Sequence, residues 1–179
     1  MTTFDAVVLT GGRAERLGGT PKADLVVAGT SLRDRALAAV SGAERVQVVG
    51  PEVRGGPVAA LASALPRVGA PLVVVLACDM PLLGAPAVAR LVAAVGEGVG
   101  EADGAMLVDD GGRQQFLAAA YRTASLRSAI GALDDPDGAS MRALVGGLRV
   151  HEVTAQAGEA LDCDTWSDVR RATALLEER

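Results

Sequence analysis

Two short segments of the sequence contain residue types that bind phosphate and metal ions. The first, "LTGGRAERLGGTPK" (residues 9–22), has two glycine pairs and three cations. Glycine leaves backbone N–H groups accessible to phosphate oxygens, and Arg16 and Lys22 supply positive charge without blocking that approach. The segment matches neither the Walker A loop nor the G-x-G-x-x-G motif. We interpret it as a site for a small polyanion, the alternative being a tight turn with surface cations.

The second segment, "LACDMPLL" (residues 76–83), places a carboxylate at the end of an apolar run. Asp79 follows the aliphatic residues 72–77, and Pro81 prevents the strand from continuing. An ionised carboxylate at that position is costly unless it is paired or binds a cation. Mg²⁺ is bound in proteins by one or two carboxylates together with substrate oxygens and water. We therefore predict that Asp79 is a metal ligand, although a turn-capping aspartate is the alternative.

Apolar runs and turn residues predict strands that alternate with helices along the chain. Strands are predicted over residues 4–10, 25–27, 45–49, 72–77, 105–108, 116–121 and 149–153. Helices are predicted over residues 31–41, 86–95, 123–133, 140–145 and 166–176, and a further one is opened by Pro57. This order predicts one α/β domain over residues 1–179, with three α/β/α layers and a mainly parallel sheet. Ligands of such sheets lie at the carboxyl ends of strands, where both segments are expected.

Composition excludes several classes of function. A net charge of −5 and a pI near 4.9 argue against a nucleic-acid-binding protein. We find no apolar run long enough to span a membrane and no signal peptide, so we expect a cytoplasmic protein. The two cysteines are too few for a disulfide scaffold, and one histidine excludes a histidine-rich metal site.

Taken together, the motifs resemble those of the molybdenum cofactor guanylyltransferases, which are MobA-like nucleotidyltransferases. The resemblance covers nearly the whole chain and rests on "LTGG", "RLGG" and Lys22, then on "GPVAAL" (residues 56–61) and "CDMPLL" (residues 78–83). It implies a Rossmann-like nucleotidyltransferase fold and a magnesium-dependent transfer of GMP from GTP to molybdenum–molybdopterin, with release of pyrophosphate. It also implies transient contact with proteins that deliver the cofactor or receive it.

The resemblance also implies roles for individual residues. Catalysis would involve Arg16, Lys22 and Asp79. The nucleotide would be bound by Leu9, Thr10, Gly11, Gly12, Lys22, Gly56, Pro57 and Asp79. Gly12 favours GTP over CTP, because a missing Cβ leaves room for a purine.

A third segment, "LDCDTWSDV" (residues 161–169), lies where the family has an asparagine-containing motif. Asp162 and Asp164 replace both asparagines. Asp164 either faces Asp79 and supports the metal, or belongs to the cap of the last helix, for which Thr165 and Asp164 are both well placed. By position alone, the acceptor contacts are expected from Arg142, Gln114 and Gln115.

Two alternatives remain open at the level of sequence. The same chemistry can use CTP or a sugar phosphate, and aspartates in the third segment are commoner among cytidylyl relatives. The protein can also be a non-catalytic nucleotide-binding adaptor in molybdoenzyme maturation, although a pure binder has little need of a metal carboxylate.

Overall fold

A computed structural model of the protein describes residues 2–11, 19, 21–96 and 102–178. In these residues one sheet contains β1 (Phe4–Leu9), β4 (Val46–Val49), β5 (Leu72–Ala77), β6 (Gly104–Val108), β7 (Gln114–Arg122) and β8 (Val150–Thr154), and a hairpin contains β2 (Val26–Val27) and β3 (Thr30–Ser31). The helices are α1 (Leu32–Ala39), α2 (Gly56–Ala64), α3 (Ala85–Gly96), α4 (Thr123–Gly131), α5 (Met141–Val145) and α6 (Trp166–Glu177).

The strand order across the large sheet is β4-β1-β5-β7-β6-β8. Strand β1 runs parallel to β4 and β5, and β8 runs parallel to β6. Strand β7 is antiparallel to both of its neighbours. The prediction of a mainly parallel sheet is therefore confirmed, with β7 as the exception.

Helices cover both faces of this sheet. Successive residues of a strand point to opposite sides, so each strand contributes side chains to two separate cores. Val74 and Leu76 of β5 belong to a core that includes residues of α1 and α3. Val73 and Val75 belong to a second core, which includes residues of α2, α4 and α5. The five residues of β5 from 72 to 76 are all buried, and the predicted three-layer α/β/α architecture is confirmed.

Two glycines in left-handed conformations determine where α2 begins. Gly55 and Gly56 have φ angles of 95° and 86°. A Cβ on Gly55 would also lie 2.9 Å from the Cβ of Ala59, so a larger residue would be strained there both by its φ angle and by this contact. Pro57 follows in the first helical turn, where its missing N–H costs nothing. The sharp entry places Pro57 near the carboxyl ends of β1 and β5, where it lines a cavity with Leu9 and Ala77.

The pairing of β6 with β7 is irregular near the turn that joins the two strands. The register shifts between Met106 and Leu107, so β7 has more residues than β6 along this stretch. The buried Tyr121 side chain holds the irregular stretch, because its hydroxyl donates to the carbonyl of Phe116 at 3.0 Å. Bulges of this kind often redirect side chains beside an active site.

Helix α6 packs against the β2–β3 hairpin rather than against the large sheet. Val169 and Ala172 of the helix form a small core with Leu25, Val27 and Cys163. The segment before α6 is thereby brought back to β5, where the Cys163 N–H donates to the Asp79 carbonyl at 2.9 Å. Among the residues that the structure describes, no helix has the length and apolar character needed to cross a bilayer.

Candidate active site

Three charged side chains from distant parts of the sequence meet just beyond the carboxyl end of β5. The Lys22 ammonium lies 3.0 Å from a carboxylate oxygen of Asp79 and also donates to the carboxylate of Asp164. The Lys22 side chain is 15% exposed, whereas Asp164 is about half exposed. The structure therefore brings together Lys22 and Asp79, as the sequence predicted, and places Asp164 beside them, which is one of the two roles considered for it.

The backbone fixes each member of this cluster independently. Lys22 begins a 3-10 turn, Lys22–Asp24, in which the Leu25 N–H donates to the Lys22 carbonyl at 3.1 Å. Asp79 follows β5 and is tied through its own carbonyl to Cys163. The backbone at each of these positions is therefore held by contacts that do not involve the lysine ammonium.

The residue that caps α6 is Thr165. Its hydroxyl oxygen accepts from the Asp168 N–H at 3.3 Å, and the Asp168 carboxylate accepts from the Thr165 N–H at 2.7 Å. This reciprocal pair is a capping box. The Asp168 carboxylate also accepts from the Asp164 N–H at 3.2 Å. Asp164 was considered either as a residue that faces Asp79 or as a cap of α6. The cap is Thr165, and the Asp164 side chain points to Lys22, which also contacts Asp79.

The two carboxylates keep Lys22 positively charged. Burial by itself would lower the pKa of Lys22, but the hydrogen bond to Asp164 and the charge of Asp79 outweigh it and raise the pKa to about 12. Neighbouring Asp162 is affected in a different way: burial and the negative charge of Asp164 raise its pKa, while Arg113 opposes the shift. The Arg113 guanidinium lies 3.7 Å from the Asp162 carboxylate.

A cavity of about 570 Å³ opens between the ends of β1, β4 and β5 and the start of α2. Of the predicted nucleotide-binding residues, it is lined by Leu9, Gly11, Gly56, Pro57 and Asp79. It is also lined by the turn after β4 that includes Gly50, Pro51 and Arg54. A volume of this size is typical of small-molecule sites.

Thr10 contributes to the strands rather than to this lining. Its hydroxyl and its N–H donate to the Val49 carbonyl at 3.2 and 2.8 Å, and the residue is 6% exposed. Gly12 and Arg16, also predicted to contact the nucleotide, lie outside the described residues.

A second cavity, of about 750 Å³, lies on the other side of Asp79. It shares Pro57, Ala77, Asp79 and Leu117 with the first cavity. The residues predicted to contact an acceptor all line it, namely Gln114, Gln115 and Arg142. The Arg142 guanidinium lies 5.5 Å from the centre of the Phe116 ring, a cation–π distance.

Sequence reasoning missed several residues of the two cavities. Arg113 and Phe116 flank the glutamines in the second cavity, and Arg54 lines the first. Arg113 precedes Gln114 and Phe116 follows Gln115, and this adjacency to the predicted glutamines could have identified both residues. The carboxylate of Glu52, in the same turn as Arg54, is bound to its own backbone, where it accepts from the Gly50 N–H at 3.0 Å.

This arrangement suits a reaction between two anionic ligands. Two cavities meet at one carboxylate, and cationic side chains are present on either side: Lys22 next to Asp79, and Arg113 and Arg142 in the second cavity. Phosphate-bearing ligands held in the two cavities would have their charged ends at Asp79.

Comparison with solved structures shows the same fold in several proteins. Molybdopterin-guanine dinucleotide biosynthesis protein A from Archaeoglobus fulgidus aligns with a TM-score of 0.77 at 19% identity, over 98% of this chain and 100% of that one. The 2-C-methyl-D-erythritol 4-phosphate cytidylyltransferase from Thermus thermophilus aligns with a TM-score of 0.69 at 24% identity, over 99% and 100%. The homologue of Mycobacterium tuberculosis rv0371c from Mycobacterium sp. strain JC1 aligns with a TM-score of 0.74 at 27% identity, over 98% and 97%.

Curated protein sequences give no significant match to this chain. A family profile does match, that of the MobA-like NTP transferase domain, over residues 6–55 and 48–153. The matched ranges include Lys22, Asp79 and most of the lining of both cavities, and nucleotidyl transfer is the chemistry that family and fold support. The chain therefore belongs to the family of MobA-like NTP transferase domains.

Proposed function

We propose that the protein transfers GMP from GTP to molybdenum–molybdopterin and releases pyrophosphate. The observation that carries the proposal is that two cavities share Asp79. GTP in the first cavity and the acceptor in the second bring their phosphates to the same carboxylate. The likeness to the A. fulgidus protein, which acts in molybdopterin-guanine dinucleotide biosynthesis, supports this acceptor.

The reaction needs no nucleophile from the protein. An oxygen of the acceptor's terminal phosphate forms a bond to the α-phosphorus of GTP. The bond from that phosphorus to the bridging oxygen breaks, and its electron pair leaves on pyrophosphate. Catalysis then rests on aligning the two phosphates and on neutralising negative charge.

Lys22 acts as a cation and not as a base. Its pKa of about 12 keeps the ammonium protonated at neutral pH, so it is suited to bind triphosphate oxygens. Arg16 provides a second positive charge in this proposal, from the segment outside the described residues.

The residues present also fit a magnesium ion. The carboxylates of Asp79 and Asp164 both face one cationic group, and carboxylate oxygens are the hard ligands that Mg²⁺ prefers. These two residues would hold the ion. When bound, Mg²⁺ neutralises charge on the phosphates.

The second cavity suits an acceptor that combines a phosphate with a flat polar ring. Arg142 lies over Phe116, which leaves the edge of its guanidinium for an anion. The carboxamides of Gln114 and Gln115 offer both donors and acceptors, as the edge of a pterin requires.

A second candidate is the same reaction with CTP. The aspartates at positions 162 and 164 favour it, and so does the structural likeness to the T. thermophilus cytidylyltransferase. GTP remains our proposal because Gly12 has no Cβ and leaves room for a purine.

The test is a pyrophosphate-release assay with Mg²⁺ and each of GTP, CTP, ATP and UTP. Each nucleotide is offered with molybdenum-loaded molybdopterin or with a sugar phosphate, and the products are identified by mass. We expect turnover with GTP and the molybdopterin acceptor. Faster turnover with CTP would contradict the choice of base, and nucleotide binding without pyrophosphate release would favour the adaptor.

Asp79→Asn tests the site directly. We expect it to lower kcat by about a hundredfold or more, because charge stabilisation at a transferring group is worth that much. Asp24→Asn is the matched control, since Asp24 is an exposed carboxylate in the same 3-10 turn as Lys22. Near-normal turnover by a folded Asp79→Asn protein would remove Asp79 from the mechanism.

A further inference from the structure

The Lys22 ammonium lies where the two candidate metal ligands point. It contacts the carboxylates of both Asp79 and Asp164, and its side chain is largely buried between them. We propose that Lys22 takes the place of the metal in the ligand-free protein and excludes divalent cations until a triphosphate draws the lysine away. The inference deepens the proposed function and rests on it for the identity of the metal-bound nucleotide.

The charges explain why the exchange depends on the triphosphate. A divalent cation that arrives alone must displace an ammonium from two carboxylates and brings no anion to accept it. When the cation arrives with a triphosphate, the phosphate oxygens accept the displaced ammonium. Metal and triphosphate therefore bind cooperatively, and each raises the affinity of the other by the same factor.

The local structure allows this exchange without rearrangement of the fold. Asp79 is held by its carbonyl to Cys163, and the N–H of Asp164 is held by Asp168. The backbone that carries both carboxylates thus keeps its position after the lysine leaves. Lys22 itself has a flexible four-carbon stem, which can turn the ammonium from the carboxylates toward the adjoining cavity that Asp79 lines.

The experiment measures binding of Mn²⁺ alone, by electron paramagnetic resonance or calorimetry, and needs no acceptor and no turnover. We expect the wild-type protein to bind Mn²⁺ weakly. Lys22→Met should bind one Mn²⁺ about tenfold more tightly or better, within the usual range of coupling between sites. Lys22→Arg keeps the positive charge and should behave like the wild type. Adding Asp164→Asn to Lys22→Met should remove the gain.

The unaltered protein supplies a second arm that does not depend on how the variants fold. Wild-type protein should acquire tight Mn²⁺ binding with GTP and not with guanosine, which lacks phosphates. Equal Mn²⁺ affinity of wild type and Lys22→Met would overturn the inference, as would a gain with guanosine. Either of those Mn²⁺ results would leave the proposed GMP transfer untouched. Conversely, a failure to transfer GMP would leave the Mn²⁺ results unchanged, so the two failures can be told apart.

Discussion

The capping box of α6 controls the position of Asp164, and Asp168→Asn perturbs it with little change of volume. The Asp168 carboxylate accepts from three donors: the N–H and the hydroxyl of Thr165, both at 2.7 Å, and the N–H of Asp164 at 3.2 Å. Asparagine keeps one acceptor oxygen but loses the negative charge that all three donors share.

The expected loss of stability can be worked out from these contacts. Hydrogen bonds to a charged group contribute about 1.5–3 kcal/mol, against about 0.5–1.5 kcal/mol for neutral ones. A carboxylate in the first turn of a helix adds about 0.3–1 kcal/mol through the helix dipole. All three donors share one carboxylate oxygen, so the loss of its charge is counted once, at about 1–1.5 kcal/mol, and the helix dipole adds about 0.3–1 kcal/mol. The net cost of Asp168→Asn is therefore about 1–2.5 kcal/mol. At this chain length each kcal/mol lowers Tm by about 2–4 °C, so we expect a fall of about 2–10 °C.

The same substitution should weaken nucleotidyl transfer, although Asp168 touches no ligand. The Asp164 N–H then has a weaker acceptor, and the Asp164 carboxylate is held less firmly against Lys22. We expect kcat/KM to fall several-fold, by about 1 kcal/mol of transition-state stabilisation.

The matched control is Asp34→Asn, at the start of α1. There the Asp34 N–H donates to the Ser31 hydroxyl oxygen at 3.0 Å, and the Ser31 hydroxyl donates to the Asp34 carboxylate at 2.7 Å. Urea unfolding should show a loss of stability in both variants, while only Asp168→Asn loses transfer activity. Equal kcat/KM in the two variants would refute the positioning role of Asp168, and an unchanged unfolding free energy would refute the estimate.

Two further predictions concern side chains that have no role in the proposed transfer. Hydrogen bonds from the Arg149 N–H and the Ser125 hydroxyl lower the pKa of Asp103, so this carboxylate stabilises the fold above its ordinary pKa near 3.8 and the effect is lost as pH falls below it. Urea unfolding should therefore show Asp103→Asn less stable than wild type at pH 7, with the difference shrinking at pH 3; a difference that grows on acidification would contradict this. Burial raises the pKa of the Cys78 and Cys163 thiols to about 12, so neither should react with a thiol reagent at pH 8 until urea unfolds the chain. Rapid labelling of the native protein would contradict that expectation.

Local sequence was sufficient to predict most elements of the fold. The aliphatic residues 72–77 predicted β5 with the bounds that the structure has, and the Pro57 signal placed the start of α2 within one residue. Strand β7 was predicted to exist, but its antiparallel place between β5 and β6 was not. Apolar periodicity reports which face of a strand is buried and carries no information about its partner. That pairing depends on contacts such as Val74 with Ala120, which are far apart in sequence.

For the candidate site too, individual residues were predicted from the sequence, whereas contacts between distant residues were not. Asp79 was expected at a ligand-binding edge because the carboxyl ends of parallel strands gather there. The contact of Lys22 with Asp164 was not predicted, since the two residues are separated by 142 positions. Two adjacent residues, Asp164 and Thr165, were equally suited to cap α6, and packing of α6 on the hairpin decided between them.

Among the described residues that cluster at Asp79, three carboxylates are accompanied by two cations, and this local excess of negative charge suits a metal-bound anion better than either ion alone. Asp79 and Asp164 share the single positive charge of Lys22, while Asp162 is opposed by Arg113 at 3.7 Å. Burial, followed by the negative charge of Asp164, raises the pKa of Asp162. A free triphosphate would be repelled by them, and a free divalent cation would have to displace the lysine. Only a ligand that brings both a divalent cation and an anion supplies a positive partner to the carboxylates and a negative partner to the ammonium. This requirement couples metal binding to nucleotide binding before any bond is made or broken.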